Sequence, residues 1–181
     1  MKEIRTLSSQ KVYSGGDISV KLDKFKLNSK LIIKEIVEHS PSVGIIPVID
    51  YTHVLFVTQY RYAARKLMLE IPAGKIEGKE TPVQAALREM HEEIGYTGKL
   101  IPLLQWYLAP GYDTELMYVF VATQLKKIGK NGNLDNDENI RVKRMTLTSA
   151  INKCFNGEIQ DCKTIAAVLA YSIQNHDLAK V

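Results

Sequence analysis

The spacing of apolar positions divides this chain into strands and helices. Ile18, Val20 and Leu22 alternate with Ser19 and Lys21, which gives a strand with one apolar face. The alternation slips at Asp23–Lys24 and resumes at Phe25 and Leu27, so a bulge is expected there. Asn28–Ser29 offers a turn, and Leu31–Val37 returns. Residues 11–38 therefore read as an antiparallel meander. His39-Ser40-Pro41 then punctuates the chain. Val43–Ile49 and His53–Tyr60 read as strands joined around Asp50-Tyr51-Thr52. Leu67–Ile71, Leu100–Leu108, Leu116–Thr123 and Val142–Leu147 are further strands, and polar residues 129–139 form a loop. Ser149–Phe155 is helical and closes at Asn156–Gly157, and Asp161 caps a last helix running to about Asn175.

The best-defined helix lies between these strands. Thr81 followed by Gln84 makes a capping box, with Pro82 at the first helical position. Val83, Leu87, Met90 and Ile94 recur every three or four residues as the expected buried stripe, and Gly95 suits the left-handed position that ends a helix. The order of elements predicts an α+β or mixed α/β/α layer domain. It is preceded by a small N-terminal antiparallel meander, residues 1–39, with residues 40–181 as the main domain. A segment of about 39 residues cannot bury a core alone, so this arm must dock on the main domain or on a second subunit.

Charge sharpens this picture. The chain has 181 residues, 24 Lys+Arg and 20 Asp+Glu, a formal charge of +4, with 45% hydrophobic residues. That is an ordinary globular composition, and the basic excess is too small to name a polyanionic partner. Without a block of five like charges or a basic patch interleaved with aromatics, no nucleic-acid partner is expected. No apolar run long enough to span a bilayer and no signal-peptide pattern occurs, so a cytoplasmic protein without a membrane partner is the expectation. Cys154 and Cys162 lack metal-ligand spacing and read as reduced thiols. Residues 1–39 balance at +3 and residues 70–96 at −3. The acidity of this second segment is concentrated on the helix.

Glu89, Glu92 and Glu93 share one side of a single helical turn. They sit near the helix C-terminus, where the macrodipole disfavours negative charge, and they repel one another. Taken alone, the helix admits two readings: a solvated acidic face paired with Arg88 and lysines, or a face built for divalent cations. Mg²⁺ takes a few carboxylates and completes its shell with water and substrate phosphate oxygens.

The wider spacing favours the second reading. Gly74, Glu80, Arg88, Glu89, Glu92, Glu93 and Gly95 stand in the pattern G-x5-E-x7-R-E-U-x-E-E-x-G-U, where U is bulky and apolar. Seven chance identities at fixed spacing have odds on the order of one in 10⁸ per window. The stretch resembles the Nudix box, and Tyr96 departs from it only in being aromatic at the last apolar position. The resemblance implies an α/β/α sandwich in which the box forms a loop–helix–loop. It also implies an enzyme that hydrolyses a nucleoside diphosphate linked to another moiety.

Flanking segments narrow the resemblance. Gln59-Tyr60-Arg61, then Glu70-Ile71-Pro72-Ala73-Gly74, and Pro110 fifteen residues after Gly95, are similar to the ADP-ribose pyrophosphatase branch. This likeness covers about residues 39–176. It implies Mg²⁺-dependent cleavage of ADP-ribose and related ADP-sugars to AMP and ribose 5-phosphate. Mn²⁺ or another divalent cation is an alternative, with two to three ions. By position, Glu89, Glu92, Glu93 and the Ala73 carbonyl would hold metal, Arg88 would orient the carboxylates and Glu80 would brace the box. Arg61, Glu70, Gly74, Pro110 and Glu115 would face substrate. The attacking water would be served by Glu138 or Glu92; alternatively Glu138 matches a neighbouring metal-contacting acid, with Asn136 or Asp137 at the base position. Trp106, Tyr107 and Tyr112 are candidates to stack on adenine. In this branch the N-terminal strands build a homodimer, which would answer the docking problem. Two other functions remain as alternatives: a Nudix hydrolase for a dinucleoside polyphosphate or nucleotide sugar, and a non-catalytic nucleotide-sensing domain.

Overall fold

The computed structural model describes residues 4–50, 52–129 and 140–178. The elements run β1 (Ile4–Ser14), β2 (Ile18–Leu27), β3 (Lys30–His39), β4 (Ser42–Pro47), β5 (His53–Arg61), β6 (Lys66–Glu70), β7 (Ala73–Lys75), α1 (Pro82–Ile94), β8 (Tyr96–Tyr107), β9 (Leu116–Lys127), β10 (Arg141–Thr146), α2 (Leu147–Phe155) and α3 (Cys162–Leu178). They group into two compact units: residues 1–41 with 106–117, and residues 42–105 with 118–181.

The first unit is a three-stranded antiparallel sheet in the order β1-β2-β3. Its register differs from the expected one. β2 pairs with β3 without interruption through Asp23 and Lys24. The irregularities lie in β1, where Leu7 and Val12 are the extra residues opposite Phe25/Lys24 and Lys21/Val20. The slip in the β2 pattern thus sits beside a bulge in the neighbouring strand. Residues 4–10, whose mixed composition gave no alternation, extend β1 well before the expected start. The 109–114 turn is tied to β3: Val37 N–H donates to Tyr112 O at 2.7 Å, and Thr114 N–H to Val37 O at 3.1 Å.

The second unit carries the chemistry. Two sheets, β10-β5-β6 and β7-β4-β9-β8, lie among the three helices in the expected α/β/α sandwich with mixed sheet. β4 is buried along its whole length, as a strand covered on both faces must be. Val43 and Ile45 join Leu55, Val57, Ala85, Ala86, Met90, Ile94, Phe120 and Ala122 in one apolar cluster under α1. Alternation turns Ile46 to the other face, and α3 also packs on this strand.

α1 begins and ends where the sequence placed it. Thr81 accepts from Gln84 N–H, the Gln84 side chain returns the bond to Thr81 N–H, and Gly95 closes the helix at φ 74°, ψ 31°. The buried stripe is rotated from the expected one. Ala85, Ala86, Met90, Glu93 and Ile94 face inward, whereas Val83 is 45% exposed. Two alanines let the helix axis approach the sheet closely, and that fixes which side turns in. β7 has only three residues and no sequence signal, yet it sets the site. It pairs antiparallel with β4, Gly74 opposite Val43 and Ala73 opposite Gly44.

A left-handed backbone costs an L-residue about 1–2 kcal/mol. Gly95→Ala is therefore expected to lower unfolding free energy by roughly that amount, as denaturant titration would measure, leaving the β-sheet signature of the circular dichroism unchanged.

Candidate active site

Arg88 organises the helix face. Its Nε–H and one Nη2–H bond Glu80 at 2.8 and 3.0 Å; the second Nη2–H donates to Lys75 O at 2.9 Å. Its Nη1 donates to Glu89 Oε1 at 2.8 Å and Glu92 Oε2 at 3.0 Å. All five guanidinium donors are thus used. The Glu80 hydrogen bonds hold Arg88 far above its already high value against its partial burial. Conversely, the Arg88 hydrogen bond holds the Glu80 carboxyl below the usual range. Glu80 also accepts from Glu77 N–H at 3.1 Å, so it ties the loop before α1 to the helix.

Gly74 and Ala73 lie against this face. A Cβ on Gly74 would fall 1.9 Å from Glu89 Oε1 and 2.0 Å from its Cδ. Glycine is therefore required for Glu89 to lie on the β7 backbone. Ala73 N–H donates to Glu93 Oε2 at 3.1 Å, and Glu93 is buried. The box thus gathers three carboxylates beside a strand whose backbone runs close to them.

Whether these residues suit a divalent cation is a question of donor chemistry. The available ligands are carboxylate and carbonyl oxygens, the hard donors that Mg²⁺ and Mn²⁺ prefer. Gly74 keeps the approach to Glu89 clear, and the carboxylates crowd at a helix C-terminus that a cation would relieve. As placed among the described residues, no three acidic, His or Cys side chains enclose a single point, since Arg88 Nη1 lies between Glu89 and Glu92. The donor set fits the ion; its closure around one requires the carboxylates to turn.

Arg61 and Glu70 form a second part of the same unit. Arg61 Nε donates to Glu70 Oε1 at 2.9 Å and Nη2 to Oε2 at 2.7 Å, a bidentate fork. They occupy neighbouring strands, β5 and β6, whose register pairs Arg61 with Lys66 and Val57 with Glu70. Glu70 is 1% exposed and Arg61 39% by side chain. Burial alone would raise the Glu70 carboxyl, but Arg61 and Lys163 outweigh it and hold it below the usual range. The Glu70 hydrogen bond raises Arg61 above its usual value, with Glu93 and Asp161 adding to the field.

The remaining expected residues fall elsewhere. Pro110 lies in the first unit, in a turn where Tyr112 N–H and Asp113 N–H both reach Ala109 O. Glu115, also there, stands 3.5 Å from His39 Nδ1. Glu138, Asn136 and Asp137, the expected general-base region, lie outside the described residues. Sequence reasoning missed Lys163, which donates to both Glu70 and, at 2.9 Å, Asp161. Only Asp161, as the cap of α3, had a visible signal; it accepts from Thr164 N–H at 3.0 Å.

Fold and site together define a hydrolase whose acidic helix follows a short glycine-bearing strand, and the chain belongs to the Nudix family. Residues 38–167 match the NUDIX domain. The chain is 36% identical over 174 residues to an ADP-ribose pyrophosphatase of Bacillus subtilis (strain 168), covering 95% of this chain and 91% of that protein. It is 33% identical over 174 residues to a methanol dehydrogenase activator of Bacillus methanolicus, covering 95% and 94%. A solved structure described as an ADP compounds hydrolase superposes with a TM-score of 0.86 at 20% identity, covering 100% of this chain and 98% of its own. Among the described residues no helix is long and apolar enough to cross a membrane.

The depressed Glu80 carboxyl predicts a pH signature. A carboxyl with a lowered folded pKa stabilises the fold fully above its unfolded value, about 4.3, and loses that contribution as pH falls through the lower folded value. Melting temperatures from pH 7 to pH 3 should show Glu80→Gln below wild type at neutral pH, with the two curves converging below about pH 4.

Proposed function

We propose that this chain hydrolyses the pyrophosphate of ADP-ribose, and of related ADP-sugars, to AMP and ribose 5-phosphate with Mg²⁺ as cofactor. One observation carries the reading: the Arg88 network sets Glu89 and Glu92 on one turn beside the Glu93–Ala73 hydrogen bond, a cluster of oxygen donors to which we assign two to three divalent ions. Mg²⁺ held there by Glu89, Glu92, Glu93 and the Ala73 carbonyl would neutralise the pyrophosphate and lower the pKa of an attacking water. The flanking motifs and the Bacillus subtilis relative favour ADP-ribose among nucleoside diphosphate derivatives.

The protein's own groups then divide the work. Arg61 spends two of its five N–H groups on Glu70, and its half-exposed edge offers the other three to phosphate or terminal ribose oxygens. Arg88 keeps Glu89 and Glu92 pointed one way. Glu92 or Glu138 takes the proton from the attacking water. Pro110 and Glu115 keep the substrate-facing roles that the sequence resemblance alone gives them.

The chain acts as a cytoplasmic homodimer in this reading. Ile4, Leu7, Val12, Tyr13, Leu31 and Ile33 are exposed on the N-terminal sheet, more apolar surface than three isolated strands usually leave to water. A second copy of the arm is the proposed cover. Sedimentation should give twice the chain mass, and Leu7→Glu with Ile33→Glu should shift it toward monomer; a monomeric wild type would overturn this part.

For the activity, release of AMP from a panel of nucleoside diphosphate derivatives with saturating Mg²⁺ is the test. ADP-ribose should be cleaved with the highest kcat/KM, and chelation should abolish turnover. Glu93→Gln keeps an acceptor for Ala73 N–H, so its melting temperature should stay near wild type while kcat falls at least about 100-fold. Near-wild-type turnover in that variant would sink the metal assignment.

A further inference from the structure

The first turn of α3 grips the strap of residues 70–74, which runs from the end of β6 into β7. Lys163 is a buried lysine, and its ammonium donates to Glu70 Oε2, the oxygen that also accepts from Arg61 Nη2. Asp161 accepts from Lys163 at 2.9 Å through Oδ1. Its Oδ2 accepts Thr164 N–H at 3.0 Å and the Thr164 hydroxyl at 2.5 Å. The same Thr164 Oγ1 accepts Ile71 N–H at 2.9 Å. Two consecutive strap residues, Glu70 and Ile71, are thus each held by a side chain 93 positions away. Ala73 and Gly74, which meet Glu93 and Glu89, follow after Pro72.

We propose that Lys163 is a positioning residue: through Glu70 it fixes the plane of the Arg61 guanidinium and so the face that Arg61 offers to the anionic substrate. This rests on the ADP-ribose reading above for its ligand and on geometry alone for the positioning.

The physical argument turns on a shared oxygen. A bidentate fork needs carboxylate and guanidinium coplanar. Glu70 could satisfy Arg61 and still swing about its own torsions, drawing the exposed arginine with it. The second cation, approaching Oε2 from α3, removes that freedom. It also balances charge: Arg61, Glu70, Lys163 and Asp161 alternate in sign, so Arg61 need not serve as the sole counter-ion of a buried carboxylate. Lys163 itself does not touch the reacting atoms. Its loss should therefore act on substrate binding, equally in ground and transition states, which raises KM and spares kcat.

Kinetics and an arginine signal test this. In Lys163→Met the KM for ADP-ribose should rise about tenfold with kcat within about threefold, and Lys163→Arg should recover most of the loss. Glu70→Gln should raise KM similarly, and the double variant should be no worse than either single one, because both act through one path. The Arg61 Nε–H resonance, assigned by its absence in Arg61→Lys, should be protected from exchange in wild type and lose that protection in Lys163→Met. A lowered melting temperature with unchanged KM and an unchanged Arg61 signal would make Lys163 merely structural and overturn the proposal, as would additive KM effects. If wild type failed to cleave ADP-ribose, the functional reading would fall, and the ligand-free Arg61 signal would still decide the role of Lys163.

Discussion

The arrangement of the site depends on one guanidinium. Three glutamates within one turn at a helix C-terminus oppose both one another and the macrodipole. Arg88 answers this from within the same helix, and all five of its donors are engaged on the end of β7, the loop that follows it and the helix itself. The residue spacing follows from that geometry. Glu92 lies one turn on and Glu89 next door, so a single Nη1 can reach both. Glu80 lies eight residues back because the loop must fold over the start of α1 to present its carboxylate to the other edge of the fork. Lysine has no rigid fork and could not hold four acceptors in fixed directions.

Much of this was legible because it is local. The capping box, the first-turn proline and the closing glycine specify α1 within thirteen residues, and its observed bounds agree. The box pattern, spread over little more than twenty residues, contains Glu80, Glu89, Glu92 and Glu93, which among the described residues meet Arg88 or Ala73 N–H. The inward stripe was less legible. Spacing alone cannot decide between two overlapping apolar arcs, and Val83 lost to Ala85 and Ala86 because small side chains permit the closer approach to β4. A buried glutamate in that arc also contradicts a purely apolar stripe, and it is there because Ala73 N–H needs an acceptor.

What the sequence withheld is long-range. β7 is three residues of Ala-Gly-Lys, without alternation, and becomes a strand only because β4 offers it a partner. The grip of α3 on Glu70 and Ile71 joins residues 93 apart, and nothing in a lysine two places after a cap residue announces it. The N-terminal sheet failed in a third way. With β1 exposed throughout, no face is fixed by burial within the unit, so its alternation carries little information about register. Two bulges in that strand are tolerated for the same reason.

The buried charges of the second unit bear on how such a site is kept in order. Buried ion pairs are weak contributors to stability, because desolvation consumes most of the attraction. Glu70 and Lys163 are therefore poor candidates for holding the fold together, which the apolar cluster under α1 does at lower cost. Their value is directional. An apolar pair of equal volume would fill the same space and leave Arg61 free to choose among rotamers, whereas a carboxylate accepting from two sides leaves it one. The same logic applies at Gly74, where the absent side chain admits the Glu89 carboxylate and contributes nothing to packing. At both places the chain gives up packing or solvation to fix the direction of a charged group, and the two meet on the short stretch from Glu70 to Gly74. Under the proposed function a pyrophosphate substrate would call on both: cations held by the glutamates and an arginine edge set at a fixed angle.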